Sequence, residues 1–173
     1  MRLEDGDVAL RPLAEEDVPE VVAACQDPEI PRWTVVPSPY TEDDAREFLA
    51  RAPDVSAIVD AESGEFLGTI GWRWVDGNVQ IGYWVKREAR GRGVATQALR
   101  LLARWAFAEL GAARIQLLTE PENRASQRVA EKAGFRREAL LRSFIDLKGR
   151  RRDAYMYALL RDDPVPAGDA DVG

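Results

Sequence analysis

The segment 80–96 constrains the fold more than any other, because it leads from an apolar strand through a basic turn into a helix. Its turn holds two glycines and three arginines: Gly91, Gly93, Arg87, Arg90 and Arg92. The first turn of a helix has N–H groups without intrahelical partners and the positive end of the helix dipole, so it attracts anions. Arginine adds charge-assisted hydrogen bonds to phosphate oxygens. The segment therefore predicts a diphosphate site, although an ordinary loop with solvated arginines would have a similar sequence.

Hydrophobic periodicity divides the rest of the chain into strands and helices. Strands are predicted at 8–13, 55–60, 65–75, 78–86, 114–119, 135–146 and 152–160. Helices are predicted at 14–26, 42–52, 94–110 and 123–133, and the four prolines within 28–39 indicate a loop. This order predicts an α/β (α+β) fold with a central, mostly antiparallel, twisted sheet of about seven strands flanked by four helices.

The length and composition of the chain fit one domain. With 173 residues, 46% of them apolar, the chain has the usual size for a single core. We expect the domain to span 1–163 and 164–173 to be a disordered tail, because the tail is rich in proline, glycine and acidic residues. The chain lacks a run of about 18 apolar residues and an apolar signal segment, so we expect a cytoplasmic location and no membrane partner.

Two compositional features exclude whole classes of chemistry. The chain has no histidine and a single cysteine, Cys25, so we expect no metal centre and no histidine base. Its net charge of −6 argues against nucleic-acid binding, which depends on basic residues that neutralise phosphates, and is compatible with a cationic amine as substrate.

Residues 90–95, Arg-Gly-Arg-Gly-Val-Ala, carry a specific resemblance. They resemble the acetyl-coenzyme A signature of the GCN5-related N-acetyltransferase (GNAT) superfamily: Gln or Arg, two residues, Gly, one residue, then Gly or Ala. Further segments look like the ribosomal-protein-alanine or -serine N-acetyltransferase branch: 10–13, 32–41, 81–85, 123–126 and 131–135. The resemblance covers roughly residues 8 to 162 and implies a sheet that splays between its fourth and fifth predicted strands.

The resemblance implies that acetyl-coenzyme A, or another short acyl-coenzyme A, is the cosubstrate. The pyrophosphate would be held by the turn and the helix start: Arg90, Gly91, Arg92, Gly93, Val94, Ala95 and Thr96. The edges of Trp84, Val85 and Lys86 would pair with the pantetheine arm, and a backbone N–H of Trp84 or Val85 would polarise the thioester carbonyl. Asn123 would bond the arm through its amide, although asparagine is also among the best helix N-caps.

The leaving thiolate needs a hydrogen-bond donor or acid. Many members of the superfamily carry a tyrosine seven residues after the Asn123 position, but this chain has Ala130 there. The resemblance therefore points to Ser126 as the residue that protonates or hydrogen-bonds the sulfur, although a small residue there could simply leave room for the cofactor. Tyr83, Tyr155 and Tyr157 are the alternatives.

Carboxylates and aromatic residues supply the remaining candidates. Glu120, at the end of a predicted strand, ranks first as general base, ahead of Asp146 and Asp153, although each could be an ion-paired surface group. Six aromatic residues could line an acceptor pocket: Trp33, Tyr40, Trp72, Trp74, Trp84 and Phe144. Trp33 and Tyr40, in the proline-rich loop, are the preferred pair, and Trp72 is a further candidate.

Two function classes remain open from the sequence. One is an N-acetyltransferase that acts on a primary amine, either a protein N-terminus or a small molecule, by direct attack on the thioester. The other is a non-catalytic acyl-coenzyme A sensor, which an intact pyrophosphate turn would fit equally well. The resemblance also suggests a homodimer.

Overall fold

Eight strands form one sheet within residues 2–164, the part of the chain that this computed structural model describes. The strands are β1 (Leu3–Asp5), β2 (Val8–Pro12), β3 (Val55–Asp60), β4 (Phe66–Val75), β5 (Asn78–Val85), β6 (Arg114–Thr119), β7 (Arg136–Leu147) and β8 (Arg150–Leu160). The helices are α1 (Val18–Cys25), α2 (Glu29–Trp33), α3 (Glu42–Arg51), α4 (Val94–Glu109) and α5 (Arg124–Lys132), and short 3-10 turns cover Glu15–Asp17 and Arg87–Ala89. In space the strands follow the order β1-β2-β3-β4-β5-β6-β8-β7.

The sheet is antiparallel except between its fifth and sixth strands in the spatial order. β5 and β6 run parallel, and pair only where Val79 and Gln80 lie beside Ile115 and Gln116. Both strands continue beyond this short pairing, so a gap opens between them. The prediction of a mixed, mostly antiparallel α/β architecture that splays at this point is confirmed.

Helices cover both faces of the sheet because buried apolar side chains point to both. α4 places a stripe with helical spacing against one face: Val94, Ala98, Leu101, Leu102 and Ala106. α1 and α3 cover the other face through Val18, Val21, Cys25 and Ala45. Side chains alternate along β5, so Tyr83 packs on the α4 side and Trp84 packs on the α1 side.

The expectation of about seven strands is one too low. β1 pairs with β2 in a hairpin in which Leu3 lies opposite Leu10 and Asp5 lies opposite Val8. Gly6 and Asp7 form its two-residue turn, a combination typical of tight hairpins. β1 has three residues, too few for alternation to reveal it in the sequence.

The expectation of four helices is also too low, because α2 lies inside the predicted loop 28–39. Pro28 precedes the helix, and Pro31 stands in its first turn. The N–H groups of a first turn have no intrahelical partner, so a proline there removes no hydrogen bond. Prolines that suggest a loop are therefore compatible with this short helix, which carries Trp33 at its end.

Within the described residues, no helix has the length and apolar character needed to cross a membrane, and no cluster of potential ligands has the arrangement of a metal site. The predicted tail 164–173 lies, beyond Pro164, outside the described residues. The domain boundary at 163 stays a prediction.

Candidate active site

A cleft of about 510 Å³ occupies the gap between β5 and β6. The residues singled out in the sequence that line it are Trp33, Tyr83, Trp84, Val85, Arg90, Gly91, Gly93, Ala95, Thr96, Glu120, Asn123 and Ser126. They come from α2, β5, the turn after β5, α4, the end of β6 and the start of α5. The splayed sheet thus brings residues from across the chain to one place.

Three residues predicted at the cofactor site do not line the cleft. Lys86 Nζ lies 2.6 Å from Glu65 Oε1, and Arg92 is exposed to solvent. Val94, the first residue of α4, is 4% exposed and its side chain packs in the core. Any contribution of Val94 to anion binding must therefore come from its backbone N–H.

Two predicted acceptor residues also lie away from the cleft. Tyr40 is 6% exposed and packs with residues of α1 and α3, where its carbonyl accepts a hydrogen bond from Gln26. Trp72 faces α4, with its ring 5.7 Å from that of Trp105. Burial of a large aromatic ring stabilises the core, and strand alternation directs Trp72 to this face. Of the three predicted acceptor residues, only Trp33 borders the cleft.

The turn after β5 presents open backbone at one end of the cleft. Gly91 and Gly93 have φ values of 76° and 78°, a conformation that side chains other than glycine rarely adopt. The first helical hydrogen bond of α4 runs from Gln97 N–H to the Gly93 carbonyl, so the N–H groups of Val94, Ala95 and Thr96 have no intrahelical partner. A Cβ at Gly91 would meet nothing within 4 Å. This end of the cleft has the open space and the donors that a diphosphate requires.

Arg90 links this turn to the segment between α1 and α2. Its Nη2 lies 2.7 Å from Asp27 Oδ2. Asp27 Oδ1 in turn accepts a hydrogen bond of 3.2 Å from the N–H of Glu29, the first residue of α2. A single carboxylate therefore contacts both the anion-binding turn and the helix that carries Trp33.

The edge of β5 offers backbone groups to the gap. Lys86 N–H donates to the Leu67 carbonyl of β4 at 2.8 Å, and Trp84 lies opposite Thr69. Hydrogen-bonded and non-hydrogen-bonded pairs alternate along an antiparallel ladder, so Trp84 turns its N–H and C=O towards β4. Tyr83 and Val85 then turn theirs towards the gap. Of the two backbone donors considered from the sequence, Val85 faces the gap and Trp84 does not.

Ser126 lies at the start of α5 and contacts residues from both sides of the cleft. Its N–H donates to Asn123 Oδ1 at 3.1 Å, so Asn123 is an N-cap whose amide nitrogen is not used by the cap. Ser126 Oγ lies 3.0 Å from Tyr83 Oη. Burial raises the pKa of Tyr83 to about 12, against a smaller lowering by this hydrogen bond. Tyr155 and Tyr157, the other tyrosines considered, do not line the cleft.

Glu120 is the buried carboxylate of the cleft. It is 5% exposed, and its Oε1 has no hydrogen-bond partner. Its Oε2 lies 3.4 Å from Arg152 Nη1. Burial raises the pKa of Glu120 above its ordinary value, and Arg152 opposes the shift. Asp146 and Asp153 instead accept backbone hydrogen bonds from Gly149 and Ser143 within the β7–β8 hairpin.

Residues 7–136 match the family model described as the acetyltransferase (GNAT) domain. The chain belongs to the GNAT acetyltransferase family. The resemblance of residues 90–95 is thereby confirmed, and the protein is an N-acetyltransferase that depends on an acyl-coenzyme A donor. The match to acetyltransferases does not support the non-catalytic sensor considered from the sequence.

Relatives of this GNAT acetyltransferase match it over most of their length. It is 31% identical to the uncharacterized N-acetyltransferase p20 of Bacillus licheniformis, over 89% of this chain and 93% of that one. Its fold resembles the ribosomal-protein-S5-alanine acetyltransferase of Vibrio fischeri (TM-score 0.78, 18% identity, 94% and 98% of the two chains). It also resembles Mycobacterium smegmatis RimJ in complex with CoA-disulfide (TM-score 0.78, 23% identity, 93% and 86%).

Sequence reasoning missed several residues of the GNAT cleft. Thr119 lines it with a buried hydroxyl that has no hydrogen-bond partner. Arg128 and Lys132 line it from α5, where their spacing of four residues places them on one helical face. That spacing was a signal available in the sequence. The position of Thr119 was not, because it depends on where β6 leaves the sheet.

Another part of the GNAT cleft is lined by α2 and by Ile145 of the β7–β8 hairpin. Trp33 Nε1 donates to Glu29 Oε2 at 3.1 Å, and the Arg32 guanidinium lies 4.5 Å from the centre of the Trp33 ring. Lys148, at the hairpin tip, donates to the Pro31 carbonyl, so the tip is tied to α2. An adjoining pocket of about 140 Å³ shares two residues with the cleft, Trp33 and Glu120. This part of the cleft, where we expect the acceptor to bind, is therefore aromatic and carries charges of both signs.

Proposed function

We propose that this acetyltransferase transfers an acetyl group from acetyl-coenzyme A to a primary amine by direct attack of the amine on the thioester. The observation that carries the proposal is the buried, unpartnered Oε1 of Glu120, which lies in the same cleft as the free N–H groups at the start of α4. A buried carboxylate oxygen without a partner is costly, so a ligand that donates a hydrogen there is favoured. An acceptor amine is such a ligand.

In this proposal each bond change has a residue beside it. The amine nitrogen forms a bond to the carbonyl carbon, the carbon–sulfur bond breaks, and Glu120 takes the proton that the nitrogen loses. The N–H of Val85 hydrogen-bonds the carbonyl oxygen, where negative charge develops. Ser126 donates a hydrogen bond to the departing sulfur. Because a serine hydroxyl is much less acidic than a thiol, the thiolate then takes its proton from solvent.

Positioning accounts for much of the expected rate. Holding amine and thioester in reactive contact can remove about 7–11 kcal/mol of the barrier. The turn with Gly91 and Gly93, the N–H groups of α4 and the amide of Asn123 would hold the donor, while Trp33 would contact the acceptor. A carboxylate base of modest strength is sufficient under these conditions.

A protein N-terminus is the first acceptor to test. Two observations support it: the fold neighbours include a ribosomal-protein-S5-alanine acetyltransferase, and the unpartnered oxygen of Glu120, which lines both pockets together with Trp33, can accept a hydrogen from an amine. Small amines are the second class of acceptor. A homodimer and a cytoplasmic location remain predictions.

The test is calorimetric titration with acetyl-coenzyme A, followed by a thiol-release assay against N-terminal peptides and small amines. We expect micromolar binding and release that depends on the acceptor.

Glu120→Gln should lower kcat by about 100-fold and keep donor affinity, since loss of a general base typically costs 10²–10⁴-fold. Asp153→Asn is the matched control, because asparagine can still accept the hydrogen bond from Ser143. Absence of binding, or binding without release for any amine, would contradict the proposal.

A further inference from the structure

Tyr83 and Ser126 form a contact across the cleft, 43 residues apart in the chain. The two hydroxyl oxygens lie 3.0 Å apart, within hydrogen-bond distance. Tyr83 belongs to β5 and Ser126 to the first turn of α5, and both line the cleft. The hydroxyl of Ser126 therefore already has a partner before any substrate is present.

The direction of this hydrogen bond decides whether Ser126 can act on the substrate. A serine hydroxyl has one hydrogen to donate and two lone pairs that accept. If Ser126 donated to Tyr83, it would have no hydrogen left for another group. A phenol is the more acidic of the two hydroxyls and the better donor, and burial keeps Tyr83 protonated at neutral pH, since its pKa is raised to about 12. We therefore assign Tyr83 as donor and Ser126 as acceptor.

We propose that Tyr83 is a positioning residue: it donates its hydrogen to Ser126 Oγ and so leaves the Ser126 hydrogen free for the departing sulfur. This inference rests on the proposed function, in which Ser126 hydrogen-bonds that sulfur. The backbone N–H of Ser126 is held by Asn123, so the start of α5 is fixed from one side and the serine hydroxyl from the other.

Tyr83 does not itself give up its proton. An ordinary thiol has a pKa of about 8.5, well below the pKa of about 12 of the buried phenol, so transfer from phenol to thiolate would be uphill. The phenol thus stays neutral through the reaction, and only the orientation of the Ser126 hydroxyl depends on it. This separates Tyr83 from an acid that acts directly on the sulfur.

The test is a double-mutant cycle with Tyr83→Phe and Ser126→Ala, assayed with acetyl-coenzyme A and the best acceptor. We expect S126A to lower kcat about 100-fold, as loss of a donor to a charged reacting atom does. Y83F should lower kcat about tenfold, as loss of one hydrogen bond does. Because Tyr83 acts only through Ser126, Y83F should have less than about a twofold effect when S126A is already present. Donor affinity should stay within about twofold in every variant.

Tyr155→Phe is the matched control. It removes a hydroxyl from β8 at a position that does not line the cleft, and should leave kcat unchanged. An unchanged kcat in Y83F, a larger loss in Y83F than in S126A, or effects of the two substitutions that simply multiply would each overturn the inference. Absence of turnover by the unmodified protein would overturn the proposed function itself, and this inference with it.

A second variant serves if Y83F does not fold. A ring-fluorinated tyrosine at position 83 keeps the shape and the hydroxyl but has a more acidic phenol. Burial and the hydrogen bond with Ser126 are the causes that shift the pKa of Tyr83. The charged residues that line the same cleft are Glu29, Arg90, Glu120, Arg128 and Lys132, so the unmodified protein is assayed over the same pH range as a reference. Once ionised, this phenol can only accept, so kcat should fall as pH rises through the pKa measured from its absorbance. A kcat that does not follow the ionisation would overturn the inference.

Discussion

Burial makes the negative charge of Glu120 unfavourable, and the pH dependence of the reaction should show the effect on its pKa. Burial raises the pKa of its carboxyl above the ordinary value of about 4.3, and only the ionised form can accept a proton. We therefore expect kcat/KM to rise with pH in a lower limb, as Glu120 ionises through this raised pKa. A second limb follows at higher pH, where the free amine loses its own proton. Glu120→Gln should remove the lower limb. A profile that keeps this limb in E120Q would assign it to another group.

The same substitution should not destabilise the protein. A carboxyl whose pKa is raised by folding binds its proton more tightly when folded, so above that pKa its ionisation opposes folding. At pH 7 we expect E120Q to melt at or above the temperature of the unmodified chain, measured by thermal denaturation. A lower melting temperature would mean that the contact with Arg152 stabilises Glu120 more than burial destabilises it.

Asp27 places a negative charge beside the turn that we expect to bind a diphosphate. Its Oδ2 lies 2.7 Å from Arg90 Nη2 and therefore competes with a ligand phosphate for this arginine. Asp27→Asn should tighten binding of coenzyme A about threefold, because it removes a repulsive charge and keeps an oxygen that can cap α2. Calorimetry measures the change. Asp43→Asn, at a fully exposed position of α3, is the control that should have no effect.

Residues with a local signal could be predicted from the sequence, and residues that depend on register could not. Ser126 and Asn123 belong to one helix start and were predicted together. The contact of Ser126 with Tyr83 requires knowledge of the β5 register and of the distance between β5 and α5. The choice of Val85 over Trp84 as backbone donor depends on the same register, since a shift by one residue would reverse it.

Alanine substitutions at two glycines can test whether the turn before α4 binds a ligand or is an ordinary turn. Gly93 and Gly77 both have a φ of 78°, and a Cβ at either position would meet no atom closer than 3.9 Å. Alanine at either site should cost about 1–2 kcal/mol of unfolding free energy, since both would hold a left-handed conformation. Only Gly93→Ala should weaken binding of coenzyme A, by about tenfold, because it disturbs the N–H groups that begin α4.

Denaturant unfolding and calorimetry measure the two effects separately. Equal losses of stability with a loss of affinity in G93A alone would support the diphosphate site at this turn. Equal affinity in G93A and Gly77→Ala would place the site elsewhere.

Elements with several turns or pleats were predictable, and very short ones were not. α4 has sixteen residues with a clear apolar stripe, and α3 begins at Glu42, the residue at which the sequence predicts a helix, with Thr41 as its N-cap. β1 and α2 have three and five residues. Such lengths span little more than one period of the hydrophobic pattern, so pairing with β2 and packing against the sheet decide their structure.

At the scale of the whole molecule, a contact between distant segments joins the two elements that we expect to bind the acceptor. Lys148 at the β7–β8 tip donates to the Pro31 carbonyl of α2. Lys148→Met should release the tip and raise the acceptor KM about fivefold, the loss expected for one hydrogen bond, with donor affinity unchanged. Arg151→Met, an exposed residue of the same hairpin, is the control. Steady-state kinetics with varied acceptor test this, and a change in donor affinity instead would contradict it.

The mixed, mostly antiparallel architecture could be predicted because short turns join β3 to β4, β4 to β5 and β7 to β8, and because residues 90–95 carry the resemblance. The tie between Lys148 and Pro31 could not, since these residues are separated by 117 positions and no local pattern joins them. Tyr40 and Trp72 were predicted as acceptor residues but do not line the cleft, because packing holds them in the cores on the two faces of the sheet.

The gap between β5 and β6 also has a consequence for how such a protein can evolve a new substrate specificity. We expect the donor to be bound by two segments, 84–96 and 123–126, and the acceptor to be bound by α2 and the hairpin tip. Mutations in 29–34 or 144–149 can therefore alter the choice of amine without disturbing the donor site. A laboratory library confined to these two segments is where new acceptor specificities should first be selected.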